Sequence, residues 1–219
     1  MTAVSLPFED RASAGALLAD ALADERGRDR LLVLALPRGG VPVAAMVADA
    51  LDAPLDLMLV RKLGVPGQPE LAMGALATGG IQVLNPDIVN ALGISDAEID
   101  RVAAAEGREL ARRARDYRGE RPPPPIAGHR VILIDDGLAT GATMRAAVAA
   151  TRAQRPAAVI VAVPVASIEA VELLEPTVDA VVCLATPEPF LGVGRWYRAF
   201  TQTTDAEVRA LLAAVPGPA

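Results

Sequence analysis

The sequence has little of several residue types on which common kinds of site depend. It contains one cysteine, Cys183, which can form neither an internal disulfide nor a cluster of thiolate metal ligands. The formal net charge of −6 argues against a general nucleic-acid binder, because such proteins neutralise phosphates with a basic surface. The longest apolar run, at about 157–168, is interrupted by Pro164 and is shorter than the roughly 20 residues of a membrane span. We therefore expect a cytoplasmic protein without a membrane span.

Lysine and aromatic residues are also scarce. Lys62 is the one lysine among 21 basic residues, and the others are arginines. A lysine kept at one position of such a chain suggests a need for a compact, flexible charge instead of a planar guanidinium. Four of the six aromatic residues lie within 190–200, so a flat apolar ligand would find most of its aromatic partners there.

The order of apolar segments predicts an α/β fold. Short apolar runs bounded by Gly or Pro alternate with longer helical patterns, which is typical of βαβ units and a mostly parallel sheet covered by helices on both faces. The predicted strands are 31–36, 55–60, 71–77, 130–134, 158–163 and 179–184. The predicted helices are 10–25, 41–51, 95–117, 141–154, 167–174 and 204–214, and the Gly- and Pro-rich segment 64–70 is predicted to be a mobile loop.

Residues 131–144, VILIDDGLATGATM, carry the clearest chemical signal. A buried strand ends on two carboxylates, Asp135 and Asp136 (the acidic pair), and is followed by small residues and hydroxyls at 137–143 (the phosphate loop). Small residues expose backbone N–H groups, and the following helix begins with a favourable dipole, so this loop suits a phosphate. Carboxylates accept hydrogen bonds from a vicinal diol, so the pair suits a ribose. The alternative is an ordinary strand-to-helix turn with capping Asp and Thr residues.

At these residues the sequence resembles the type I phosphoribosyltransferases, and the resemblance extends over nearly the whole chain, most closely to uncharacterised phosphoribosyltransferase domain proteins. It implies one domain at 1–219, with a parallel sheet flanked by helices, a small hood from the N- and C-terminal segments and a helical insertion at about 86–120. It also implies transfer of 5-phosphoribose from phosphoribosyl pyrophosphate (PRPP) to a nitrogenous, nucleobase-like acceptor with release of pyrophosphate. Such a role belongs to nucleotide metabolism.

The resemblance also implies roles for particular residues. It places the ribose and the 5-phosphate on Asp135, Asp136, Gly137, Ala139, Thr140, Gly141, Ala142 and Thr143. It places the pyrophosphate on Arg38, Gly39 and Gly40 of the sequence PRGG (37–40, the PRGG loop) and on Lys62, and it makes Asp135, Asp136 and Lys62 the catalytic residues. Mg²⁺ would be held mainly by PRPP, with Asp135 as the candidate protein ligand. The segment 64–70 would be a lid over PRPP, with Glu70 as a candidate participant.

Two matters stay open at the level of the sequence. Phe190, Trp196 and Tyr197 are candidates for acceptor binding, and the alternative is a small aromatic core under the hood. The same loops would also serve a regulatory protein that binds PRPP or a nucleotide without transferring anything. The partners expected are PRPP, an acceptor and, since this fold commonly dimerises, a second copy of the chain.

Overall fold

A computed structural model describes residues 4–215 and 217. The strands are β1 (Leu31–Ala35), β2 (Leu55–Leu57), β3 (Val60–Val65), β4 (Gln68–Ala77), β5 (Ile81–Leu84), β6 (Arg130–Ile134), β7 (Ala158–Val165) and β8 (Ala180–Ala185). The helices are α1 (Arg11–Ala21), α2 (Gly40–Leu51), α3 (Pro86–Leu92), α4 (Asp96–Arg118), α5 (Ala142–Arg152), α6 (Ile168–Leu174) and α7 (Asp205–Ala214). Short 3₁₀ turns lie at Ala23–Glu25, Glu175–Thr177 and Val193–Trp196.

The central sheet has five parallel strands in the order β2-β1-β6-β7-β8. Strands β1 and β7 are buried along their whole length, as is β6 after its first residue, because neither face of the sheet is left to solvent. The register places Ala35 beside Ile134 and Ile134 beside Ala162, so the carboxyl ends of the three middle strands lie at one edge. The loops that follow these strands therefore meet at that edge.

Helices cover the two faces of this sheet. One core cluster joins the sheet to α1, α2 and α7, and a second joins the opposite face to α5 and α6. This layering confirms the predicted fold class, a mostly parallel sheet flanked by helices. In the part of the chain that the structure describes, no helix is both long enough and apolar enough to cross a membrane.

A second sheet corrects three sequence predictions. Strands β3, β4 and β5 form an antiparallel sheet, whereas the sequence predicted a single strand at 55–60 and none at 81–84. The run 55–60 instead contributes its first half to the parallel sheet and its end to β3. The segment 64–70, predicted as a loop, is a β-hairpin whose turn includes Gly67 at φ +80°. The Gly and Pro residues mark this turn and not a longer irregular loop.

Two helices, α3 and α4, lie between β5 and β6 along the chain. Ser95 and Glu98 form a capping box at the start of α4, as the sequence predicted. At the other end of α4, Arg118 is buried and donates to the carboxylate of Asp56 and to the carbonyl of Leu57. This ion pair ties α4 to the edge strand of the parallel sheet.

Candidate active site

The PRGG loop and the acidic pair lie against each other. They follow the neighbouring strands β1 and β6, and Leu36 N–H donates to the Ile134 carbonyl at 2.8 Å. A Cβ atom on Gly39 would lie 2.1 Å from Oδ2 of Asp136, and one on Gly40 would lie 2.6 Å from the Ile134 carbonyl oxygen. Glycine is therefore required at both positions by the close approach of the two loops. The peptide bond between Pro37 and Arg38 is cis.

The phosphate loop leads into α5, and the Ala142 N–H at the start of this helix donates to Oγ1 of Thr140 at 3.4 Å. Gly141, at φ +67°, is the N-terminal flanking residue of α5 and supplies no capping side chain. The Ser167 hydroxyl, at the start of α6, donates to the Ala139 carbonyl at 2.8 Å and so holds the loop in place. Thr140 and Thr143 are exposed. The exposed hydroxyls of Thr140 and Thr143 and the first turn of α5 thus face solvent, where an anion could accept hydrogen bonds from them.

The acidic pair is electrostatically strained. The Asp136 N–H donates to Oδ1 of Asp135 at 2.8 Å, so the two carboxylates are held side by side. Burial, together with the charge of Asp136, raises the pKa of Asp135 well above its usual value. Burial also raises the pKa of Asp136, but the neighbouring Arg11 opposes that shift. The pair therefore retains a proton to a higher pH than exposed aspartates would.

Arg11 is a site residue that the sequence analysis missed. Its Nε donates to Oδ2 of Asp136 at 2.8 Å, and its Nη1 donates to the Thr201 carbonyl at 2.7 Å. The guanidinium carbon lies 3.9 Å from the centre of the Phe200 ring. These three contacts hold Arg11, with its side chain 11% exposed, as the counter-charge of the acidic pair.

The terminal segments meet beside the acidic pair. The Phe8 N–H donates to the Trp196 carbonyl at 2.8 Å, and the ring of Phe8 packs on that of Tyr197. The Tyr197 hydroxyl donates to the Asp136 carbonyl at 2.6 Å. The Tyr197 ring is buried against Phe8, and its hydroxyl holds the backbone of Asp136 in place.

The other two acceptor candidates are partly buried. Phe190 lines a cavity of about 1050 Å³ that also borders Ala139 and Thr140 of the phosphate loop. Trp196 packs against the cluster of Phe8 and Tyr197, and its indole nitrogen is buried without a hydrogen-bond partner. Phe190 is therefore the candidate that directly borders a cavity beside the predicted phosphate loop.

The two predicted basic ligands of pyrophosphate make contacts elsewhere. Arg38 lies 3.6 Å from Oδ1 of Asp205 at the start of α7, and this carboxylate also accepts from the Tyr117 hydroxyl at 2.6 Å. Burial and this hydrogen bond raise the pKa of Tyr117 to about 12. Lys62 lies in β3, and its Nζ donates to the Glu70 carbonyl at 2.9 Å across the hairpin.

The carboxylates of the site do not form a metal centre by themselves. Within residues 4–215 and 217, no three or more His, Cys, Asp or Glu side chains are grouped so that they could hold a metal ion. The acidic pair supplies two carboxylates, one of which is bound by Arg11. These residues fit a metal that arrives on a ligand and takes at most one further oxygen from Asp135.

Comparison with known proteins gives consistent matches. The sequence profile of the phosphoribosyl transferase domain matches residues 10–187. Two curated proteins of Mycobacterium tuberculosis, both named "Putative phosphoribosyl transferase", are 48% identical to the chain over 205 residues, which is 94% of this chain and 46% of each relative. The chain thus spans about half the length of these relatives. The crystal structure of TT1426 from Thermus thermophilus is 47% identical, covers 97% of this chain and 100% of its own, and superposes with a TM-score of 0.87.

The domain profile covers most of the chain, including both the PRGG loop and the acidic pair with its phosphate loop. The chain belongs to the phosphoribosyl transferase domain family.

Proposed function

We propose that the protein transfers the 5-phosphoribosyl group of PRPP to a nitrogen atom of a heterocyclic acceptor and releases pyrophosphate. The observation that carries this proposal is the packing of the PRGG loop on the acidic pair, with Gly39 directly against Asp136. Two anion-binding loops on either side of two hydroxyl-binding carboxylates match a ribose that carries a phosphate at one end and a pyrophosphate at the other.

Each part of PRPP would have its own set of residues. The 5-phosphate would take the N–H groups at the start of α5 and the hydroxyls of Thr140 and Thr143, with Gly137, Ala139, Gly141 and Ala142 giving it room. The ribose hydroxyls would donate to Asp135 and Asp136. The pyrophosphate would lie on the PRGG loop, with charge from Arg38 and Lys62, and both side chains would exchange their present carboxylate and carbonyl partners for it.

Mg²⁺ would be bound mainly by the pyrophosphate oxygens. Asp135 is the candidate for one further ligand from the protein, because the carboxylate of Asp136 is bound by Arg11. When bound, the ion supplies positive charge to the leaving group.

In the reaction itself, the bond between C1 of the ribose and the pyrophosphate oxygen breaks, and its electron pair leaves with pyrophosphate. A bond forms between C1 and the acceptor nitrogen. A nitrogen that carries a hydrogen releases it as a proton to water, whereas a pyridine-type nitrogen has none to release and becomes a ring cation. Backbone donors of the PRGG loop would stabilise the charge that grows on the leaving oxygen, and one such donor contributes about 10²–10³ in rate.

A cavity beside the phosphate loop favours transfer over simple binding. A regulatory PRPP-binding protein needs the donor site alone, whereas a transferase also needs a place for an acceptor. The cavity lined by Thr140 and Phe190 borders the loop assigned to the 5-phosphate and would offer such a place.

The donor site is tested by Asp136→Asn and Thr140→Ala, with PRPP affinity measured by titration calorimetry in the presence of Mg²⁺ and with pyrophosphate release as a second readout. We expect each variant to bind PRPP at least about tenfold more weakly, since Thr140→Ala deletes a hydroxyl, Asp136→Asn replaces a charged acceptor by a neutral amide, and a hydrogen bond that involves a charged group is worth about 1.5–3 kcal/mol. Asp100→Asn, on the exposed face of α4, is the matched control and should bind normally. If Asp136→Asn and Thr140→Ala also bound PRPP as the unmodified protein does, the assignment of the site would be wrong.

A further inference from the structure

The cavity beside the phosphate loop has three walls. Ala139 and Thr140 form one wall, the start of α6 with Leu173 forms the second, and residues 187–192 form the third. The third wall continues to the acidic pair, because a Cβ atom on Gly137 would lie 2.7 Å from Cγ1 of Val193. A molecule in the cavity would thus be flanked by the residues assigned to the 5-phosphate and by a segment that reaches the residue next to Asp136.

Several large apolar side chains are exposed on the surface of this cavity. Ile168, Leu173 and Leu191 are 37%, 51% and 67% exposed, and all three line it together with Phe190. Large apolar side chains that are grouped and exposed commonly mark a binding site. The group suits the flat, apolar body of a heterocycle.

The charges around the cavity are of one sign. Its charged lining residues are Glu169 and Glu188, and its lining, which lies wholly within the described residues, includes no arginine, lysine or histidine. This contrasts with the chain as a whole, in which Lys and Arg number 21. An anionic group placed here would lose water, gain no counter-charge and face two carboxylates.

We propose that this cavity receives the acceptor and selects nitrogen heterocycles that are neutral or cationic over those that carry a carboxylate or phosphate. The role of the cavity as an acceptor site rests on the proposed transfer reaction. Its charge preference does not, because ligand binding can be measured without any transfer. The apolar side chains hold the ring, and the two glutamates discriminate against negative substituents.

The test uses pairs of ligands that share a ring and differ in charge, nicotinamide with nicotinate and uracil with orotate. Binding to the full chain is measured by saturation-transfer NMR, and transfer is measured as pyrophosphate release with PRPP and Mg²⁺. We expect the uncharged member of a pair to bind and to react at least about tenfold better than the carboxylate.

Leu191→Lys places a positive charge at the most exposed apolar position of the cavity and should narrow this preference, since it supplies the missing counter-charge. Leu92→Lys is the matched control, because Leu92 is 48% exposed on α3 and does not line the cavity, and its preference should be unchanged. Both positions are exposed, so the substitutions leave the core intact.

The outcomes separate this inference from the proposed function. If carboxylates bound or reacted as well as their uncharged partners, the inference would be overturned while the transferase proposal stood. If an uncharged ring bound better than its carboxylate partner and Leu191→Lys narrowed this preference, yet no acceptor released pyrophosphate, the charge preference would be supported and the transfer reaction refuted. An equal effect of Leu191→Lys and Leu92→Lys would also overturn the inference.

Discussion

Replacement of Arg11 by methionine should be costly, because this side chain is the counter-charge of the acidic pair. The change keeps an apolar stem and removes the ion pair with Asp136, the hydrogen bond to the Thr201 carbonyl and the contact with the Phe200 ring. A hydrogen bond to a charged group contributes about 1.5–3 kcal/mol, and a cation over an aromatic ring about 0.5–2 kcal/mol. Since such contributions are not additive, we expect Arg11→Met to lower the free energy of unfolding by about 2–4 kcal/mol.

The measurement is urea unfolding of the free protein, with Arg198→Met as the control. Arg198 forms a nearby ion pair with Glu9, but the two side chains are 63% and 72% exposed, so its loss should cost no more than about 1 kcal/mol. The double variant Arg11→Met with Asp136→Asn isolates the pair. If Arg11 acts through this carboxylate, the second change should recover part of the loss, with a coupling of about 1 kcal/mol or more.

The cost of Arg11→Met should also depend on pH. Without Arg11, the largest influence that opposes the effect of burial on Asp136 is lost, and the pKa of Asp136 in the folded protein rises further above that of the unfolded chain. A carboxyl group with a raised folded-state pKa holds its proton more tightly when folded, so its contribution to stability is lost as pH rises through that pKa. The variant should therefore lose more stability at pH 8 than at pH 5. A loss no larger than that of Arg198→Met, or one independent of pH, would refute this account of Arg11.

Three other changes probe the same region and its support. Asp135→Asn should stabilise the free protein at alkaline pH and flatten its pH dependence in thermal unfolding, since the raised pKa of Asp135 makes the native protein lose stability as pH rises. Gly39→Ala should lower the free energy of unfolding by about 1–3 kcal/mol and weaken PRPP binding in calorimetry, because the new methyl group would meet the Asp136 carboxylate. An unchanged affinity for PRPP would contradict this prediction. Arg118→Met should lower the free energy of unfolding by about 3–5 kcal/mol in urea, because the buried Asp56 carboxylate loses its counter-charge and keeps only the hydrogen bond from the Leu57 N–H. A smaller loss when Asp56→Asn is added is the check.

The parallel sheet could be predicted because its strands are buried on both faces. The predicted strand 130–134 matches β6 at both ends, and 31–36 exceeds β1 by one residue. Such strands are continuous apolar runs, and the change from apolar to polar residues marks the point where each strand ends. The prediction of a single strand at 55–60 was wrong because apolar composition does not indicate which of two sheets a residue joins.

The PRGG loop and the acidic pair could be identified from the sequence, whereas their counter-charge could not. The glycines and carboxylates are local signals, placed directly after strands. Arg11 lies 125 residues from Asp136 along the chain, and nothing local distinguishes it from the other arginines. Two carboxylates at the end of a buried strand require a cation nearby, so the presence of a basic residue could have been predicted. Its position in the sequence could not.

The arrangement of charge around the acidic pair also limits what the site can bind. One arginine serves two carboxylates, and Oδ2 of Asp136 is enclosed between Arg11 and Gly39. A free phosphate placed on the pair would meet the negative charge of an ionised carboxylate, whereas a hydroxyl group can donate to that carboxylate. The phosphate loop begins at the next residue and has no carboxylate among residues 137–143. Under the proposed function, one ligand would meet both requirements by carrying hydroxyls and a phosphate a few ångströms apart, as a phosphorylated ribose does and inorganic phosphate or pyrophosphate alone does not.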